Sequence, residues 1–210
     1  PSRVFNIILY PSPKSVLFWD MIVLNLYLII NLIIGWRVLE AERQEEAPPA
    51  WVKPLVILSI PLAASIHTVT AFIYSGLGAR PFWLTALLAP RFLASAFASG
   101  PSLLIILCFI MRRFTRFDAG QEAIQKIALI VTYALSIHVF FFLVELFTVF
   151  YGGHPEHMHH VQHLFGPGGQ PLLTISAWIY LILSLTAFIL LINPRTRKMN
   201  GVLVYAFLAV

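Results

Sequence analysis

The chain has 210 residues, of which 59% are hydrophobic and only 11% charged, with a formal net charge of +5. A soluble domain carries roughly 45–50% apolar and about 25% charged residues, so this composition excludes an ordinary water-soluble enzyme and equally excludes a disordered chain. Crossing a bilayer takes about 20 apolar residues in a helix. Five such stretches and the start of a sixth are present, which predicts an all-α, polytopic transmembrane helix bundle forming a single transmembrane domain over residues 1–210.

In chain order, the first span is expected from about Ser15 to Trp36 and is followed by the charged linker RVLEAERQEEAPPAWVK. A second span covers about Pro54 to Gly78, and the connection ARPFWLTALLAPR leads to a third, about Phe92 to Met111, which holds the kink-prone Ser99-Gly100-Pro101. The basic loop RRFTRFDAGQEAIQK precedes a fourth span, about Ala123 to Tyr151. Then comes a His-, Gly- and Pro-rich loop over 152–171, a fifth span from about Leu172 to Ile192, and PRTRKMN before the truncated sixth. The chain opens at Pro1 without a Met and stops at Val210 inside an apolar run, so it reads as an interior portion of a longer protein. Its single cysteine, Cys108, excludes an internal disulfide framework and Cys-based metal or iron–sulfur sites.

Membrane orientation follows from the Lys and Arg count on each side. The segment before the first span, the 79–91 connection and the His-rich loop together hold four; the segments 37–53, 112–126 and 194–200 hold ten. The richer side is expected to be cytoplasmic, which leaves loop 152–171 extracytoplasmic in a cell (inner) membrane and implies an odd number of spans ahead of Pro1. This placement also accounts for the basic charge without a nucleic-acid partner.

Ionisable side chains inside spans cost several kcal/mol and need a partner or a role. Asp20, His67, His138 and Glu145 are such residues. Helical positions seven or eleven apart fall within about 20° of one another. Asp20 therefore shares a face with Tyr27 and Asn31, His67 with Tyr74 and Gly78, and His138 with Glu145. Three helices would thus aim polar groups into one layer in the outer half of the membrane, with small residues around His67 and the Ala94/Ala98 and Ser95/Ser99 rows permitting close helix approach. Each residue also has a bland reading: an interhelical hydrogen bond for His138, an interfacial cap for Asp20, packing for Tyr27 and Tyr74. Carboxylate–imidazole pairs are nevertheless what proton-coupled quinone chemistry needs. Each two-electron step moves two protons, and imidazole, with a pKa near 6.5, takes a proton that a carboxylate can pass on.

The five histidines of the loop, His154, His157, His159, His160 and His163, tempt a metal reading. Their Gly and Pro flanks predict a flexible loop without fixed ligand spacing, so no metal site is expected and a docking surface for an outside partner is the better reading. The spans offer two His, short of the two pairs a diheme bundle requires.

The stretch SIHTVTAFIYSGLGARPFWLTALLAPRFLASAFASGPSLLIIL (Ser65 to Leu107) resembles the NrfD/PsrC family of membrane quinol-interacting subunits. FLVELFTVFYGG (Phe142 to Gly153) looks like that family's Glu-containing span, and Trp19-Asp20, the HTV at His67 and the ARPFW at Ala79 resemble its DsrP/QrcD-like branch. The resemblance implies a fold of eight to ten helices, part of it lying ahead of Pro1, with no heme or iron–sulfur cluster bound by this chain. It implies (mena)quinol as substrate and a ferredoxin-like iron–sulfur subunit on the extracytoplasmic side as electron partner, with cytochrome c or other membrane subunits beyond. Asp20, His67 and Glu145 become the catalytic candidates; Asp20, His67, Tyr74 and Arg80 the quinone-binding set; His138 and Glu145 the proton path. Two other functions fit the same residues: a passive membrane anchor for redox subunits, and a proton- or ion-translocating subunit.

Overall fold

The computed structural model describes residues 5–78, 83–153, 155–166 and 169–209. Those residues form helices and connections without any strand. Five helices are long and apolar enough to cross a membrane: α2 (Val16–Arg43), α3 (Val52–Ser75), α4 (Leu88–Phe114), α5 (Gln121–Gly152) and α7 (Pro171–Ile192). Between and around them lie α1 (Asn6–Leu9), α6 (Pro155–Phe165), α8 (Pro194–Arg197) and α9 (Asn200–Ala209). The bundle of five spans and a shortened sixth is the one expected from hydropathy. The chain divides into two compact units, Pro1–Gly78 and Ala79–Val210.

In the first unit α2 packs on α3. α2 continues two turns beyond the expected end at Trp36, because VLEAER is made of good helix formers and charge marks the edge of the hydrocarbon layer, not the end of a helix. Arg37 pairs with Glu40 at 2.9 Å and its guanidinium lies 5.6 Å from the centre of the Trp51 ring, which ties the end of α2 to the start of α3. Pro61 is accommodated inside α3, and Ser65 donates to its carbonyl at 2.8 Å.

The second unit is built on α4 and α5. Ala94 and Ala98 are buried where the two meet, as the small-residue row predicts, whereas Ser99 is exposed and donates to the Ser95 carbonyl. α4 stays helical through Ser99-Gly100-Pro101. The core runs from Ile105 through Ile124, Val131 and Leu135 to Leu191 of α7 and Leu203 of α9. α4 begins at Leu88, a turn earlier than expected, because Pro90 lies in the first turn, where its missing N–H has no intrahelical acceptor to lose.

The expected flexible loop over 152–171 is corrected by α6. Its glycines sit outside the segment PEHMHHVQHLF, Pro155 occupies the first helical position, and the interior has no breaker. Gly153, at φ +60°, ends α5 in the left-handed conformation and lets the chain turn into α6. Trp178 of α7 holds the far end of α6: its Nε1–H donates to the Phe165 carbonyl at 3.2 Å and its ring meets the Phe165 ring edge-on at 5.5 Å.

Candidate functional site

In the second unit Arg91 projects from the first turn of α4 and forms an ion pair with Glu145 of α5, with side-chain exposures of 20% and 12%. The guanidinium also lies 5.5 Å from the centre of the Phe142 ring. Two turns before Glu145 on α5, His138 is 8% exposed and its Nε2 is 3.1 Å from the Tyr180 hydroxyl of α7. The other ring nitrogen, Nδ1, is buried and makes no hydrogen bond among the described residues.

These groups border two pockets. One, of about 240 Å³, is lined by Trp83, Arg91, Phe92, Ser95, His138 and Glu145. The other, of about 170 Å³, has Arg91 and Glu145 at one side, Tyr180 and Leu181 of α7 opposite, and Val161, Leu164 and Phe165 of α6 as a wall. The shared face expected for His138 and Glu145 is thus real, and both look into the first pocket. The ion pair neutralises two charges that would each be costly alone inside a membrane. It leaves an anion acceptor, a fork of N–H donors, an imidazole and a phenol around one apolar space, a set able to hold an oxygen-bearing ring and to exchange protons with it.

In the first unit Asp20 accepts a hydrogen bond from the Thr70 hydroxyl, Oγ1 to Oδ1 at 3.0 Å. His67 is half-buried one turn before Thr70 on α3, and Tyr74 lies a turn beyond it, 37% exposed. Asn31, expected to share the Asp20 face, instead donates to the Tyr27 carbonyl of its own helix at 2.8 Å. Asp20 and His67 belong to one unit, His138 and Glu145 to the other, and each pair is described within its own unit. Arg80 and His154 lie outside the described residues. No group of three or more His, Cys, Asp or Glu side chains able to hold a metal occurs among the described residues; on α6 the rings of His159 and His163 touch edge-on at 4.3 Å.

Sequence reasoning misses two members of the site. Pro90 places Arg91 in a loop when proline is read as a breaker, and Tyr180 carries no signal beyond being an aromatic in an apolar span. A profile of the family described as "Polysulphide reductase, NrfD" matches residues 1–210. The chain belongs to the NrfD family. This agrees with the resemblance carried by the Ser65–Leu107 and Phe142–Gly153 motifs, and together with the five apolar helices it makes the chain an integral membrane protein.

Among NrfD-like relatives, a Halobacterium salinarum protein named as a dimethyl sulfoxide reductase membrane subunit is 24% identical over 159 residues, covering 68% of this chain and 37% of the relative. A selenate reductase subunit from Mesobacillus selenatarsenatis is 22% identical over 200 residues (79% of this chain, 46% of the relative). The Hdr-like menaquinol oxidoreductase integral membrane subunit of Archaeoglobus fulgidus is 26% identical over 193 residues (91% and 46%). The matched region spans less than half the length of each of these curated relatives.

Proposed function

We propose that this chain is the quinol-exchanging portion of the membrane subunit of a multi-subunit respiratory oxidoreductase. It binds menaquinol near the outer membrane face and passes the electrons to an iron–sulfur partner subunit on that side. The observation that carries the reading is the Arg91–Glu145 pair set beside the His138–Tyr180 hydrogen bond around an apolar pocket within apolar helices. Membership of the NrfD family and the name of the Archaeoglobus relative, a menaquinol oxidoreductase subunit, support the substrate class.

Oxidation of a quinol to the quinone releases two electrons and two protons. The electrons leave for the iron–sulfur partner; the protons need acceptors within reach of the ring hydroxyls. In the first unit Asp20 and His67 are the proposed acceptors, with Asp20 held in place by Thr70, and Tyr74 and Arg80 complete the proposed quinone-binding set. In the second unit His138 and Glu145 form the proposed proton path. Arg91 holds the carboxylate and lends further N–H donors to a ligand oxygen, and Tyr180 fixes the orientation of the His138 ring.

The test is quinol-dependent reduction of the iron–sulfur centres in the intact complex, wild type against His67→Ala, with bound quinone assayed in both. Loss of quinol oxidation with less bound quinone in an assembled complex supports the site. Unchanged electron transfer would make this chain a passive anchor, and ion flux in liposomes without quinone would make it a translocating subunit.

A further inference from the structure

At the end of the second unit remote from the Arg91–Glu145 pair, two connections come together. Gln121 at the start of α5 donates to the Asn200 side chain at 3.0 Å, and Gln125 donates to the Arg197 carbonyl at 3.1 Å. The clasp gathers the cations of the α4–α5 connection and of the α8 segment: Arg112, Arg113, Arg116 and Lys126 with Arg195, Arg197 and Lys198. Two acids answer them, Asp118 at 3.9 Å from Arg112 and Glu122 at 2.8 Å from Lys126. Arg113, Arg116, Arg195 and Lys198 have no carboxylate within ion-pairing distance among the described residues. Phe114 and Phe117, 81% and 52% exposed, stand among these cations.

We infer that this end of the second unit is a binding site for an anionic phospholipid, its phosphates held by Arg113, Arg116, Arg195 and Lys198 and its acyl chains against Phe114 and Phe117. The position is what selects a lipid. These residues sit where apolar helices end, which is headgroup depth, and Arg forks grip phosphate oxygens in pairs. Basic pockets between the ends of membrane helices are suited to doubly charged headgroups such as diphosphatidylglycerol. Bare phenyl rings between the cations suit the boundary of headgroup and acyl chain, and would be a cost to a surface meant for water or for a soluble acidic protein. The seat is preformed: Asn193 caps α8 by accepting from the Arg195 N–H at 3.0 Å, and the Thr196 hydroxyl bonds the Leu190 carbonyl at 2.5 Å.

The experiment uses the intact complex, purified in mild detergent, washed free of lipid and titrated with diphosphatidylglycerol, phosphatidylcholine or inorganic phosphate. Bound lipid is counted by mass spectrometry, and thermal stability is followed alongside. Expected are saturable binding of the anionic lipid alone, weakening on raising salt from about 0.1 to 1 M, and an affinity about fivefold lower for each charge removed. Arg113→Gln, Arg116→Gln, Arg195→Gln and Lys198→Gln are made singly and together, with Lys14→Gln as a control in the other unit. Should the fourfold variant not assemble, Arg116→Gln, in an exposed connection, carries the test alone. Equal binding of phosphatidylcholine, full competition by inorganic phosphate, undiminished binding in these variants, or loss of an acidic protein partner in place of lipid would each overturn the inference.

Discussion

Arg91 of α4 and Glu145 of α5 form an ion pair that joins the two principal helices of the second unit at the mouth of its pockets. Removing one partner from a pair this buried leaves an uncompensated charge, at a cost of about 3 kcal/mol, the low end for buried pairs because both groups keep some solvent contact. Arg91→Met is therefore expected to lower the unfolding midpoint of the assembled complex clearly. The double change Arg91→Met with Glu145→Leu should restore much of it, since an apolar pair of similar volume avoids the desolvation penalty. Thermal unfolding of the four complexes of this double-mutant cycle checks it; additive losses would mean that the two side chains do not act as a pair.

His138 and Tyr180 test the proton path separately from the fold. Tyr180→Phe keeps the ring volume and removes only the hydroxyl bonded to Nε2, so its stability cost is about 1 kcal/mol. His138→Phe removes the proposed proton acceptor and is expected to slow quinol oxidation by about 10²-fold or more, with Tyr180→Phe falling between it and wild type. His138→Gln, which keeps hydrogen-bonding capacity and cannot take a proton at neutral pH, should be as slow as His138→Phe. Rates for the three variants under saturating quinol decide the matter: a fast His138→Gln complex would assign His138 a purely structural role.

Much of this arrangement is legible in the sequence, and the parts that are not have physical reasons. Span count and the pairing of His138 with Glu145 on one face follow from hydropathy and the 100° helical step, both of which are local. The reach of α2 past Trp36 does not, because the hydrophobic signal ends with the membrane while the helix runs on through VLEAER. Pro90 disguises the start of α4, and with it Arg91, because proline is read as a breaker although the first turn accepts it. α6 is hidden by glycines that flank its interior. The partners Arg91–Glu145, His138–Tyr180 and Asp20–Thr70 are 54, 42 and 50 residues apart, and no local pattern specifies contacts over such separations.

Asp20 meets Thr70 across α2 and α3 through a single hydrogen bond, and two substitutions separate its charge from that bond. Asp20→Asn keeps an oxygen to accept from the Thr70 hydroxyl, so the pairing of α2 with α3 should survive, with a stability change within about 1 kcal/mol. Thr70→Val leaves the carboxylate without its donor and is expected to cost about 1–3 kcal/mol. If the carboxylate itself accepts a proton from quinol, Asp20→Asn slows turnover strongly while the complex remains stable, and Thr70→Val does so mildly. Unfolding midpoints and quinol-oxidation rates measured on the same preparations give the two readouts; normal turnover in Asp20→Asn would reduce Asp20 to a helix-pairing residue.

Gly153 joins the long helix α5 to the short helix α6, and its φ of +60° is what makes that junction possible. A side chain at this position meets no neighbour within 4 Å, so the cost of adding one lies in the backbone and not in packing. Left-handed conformation disfavours alanine by roughly 1 kcal/mol and asparagine by less. Because α6 supplies Val161, Leu164 and Phe165 to one wall of the Arg91–Glu145 pocket, the penalty should appear locally before it appears globally. Gly153→Ala is expected to raise amide hydrogen exchange in 155–166 and to weaken the apparent affinity for quinol, while the unfolding midpoint of the complex moves only slightly. Gly153→Asn should restore most of both. Exchange in 155–166 identical to wild type in the alanine variant would show that α6 holds its place without the left-handed turn.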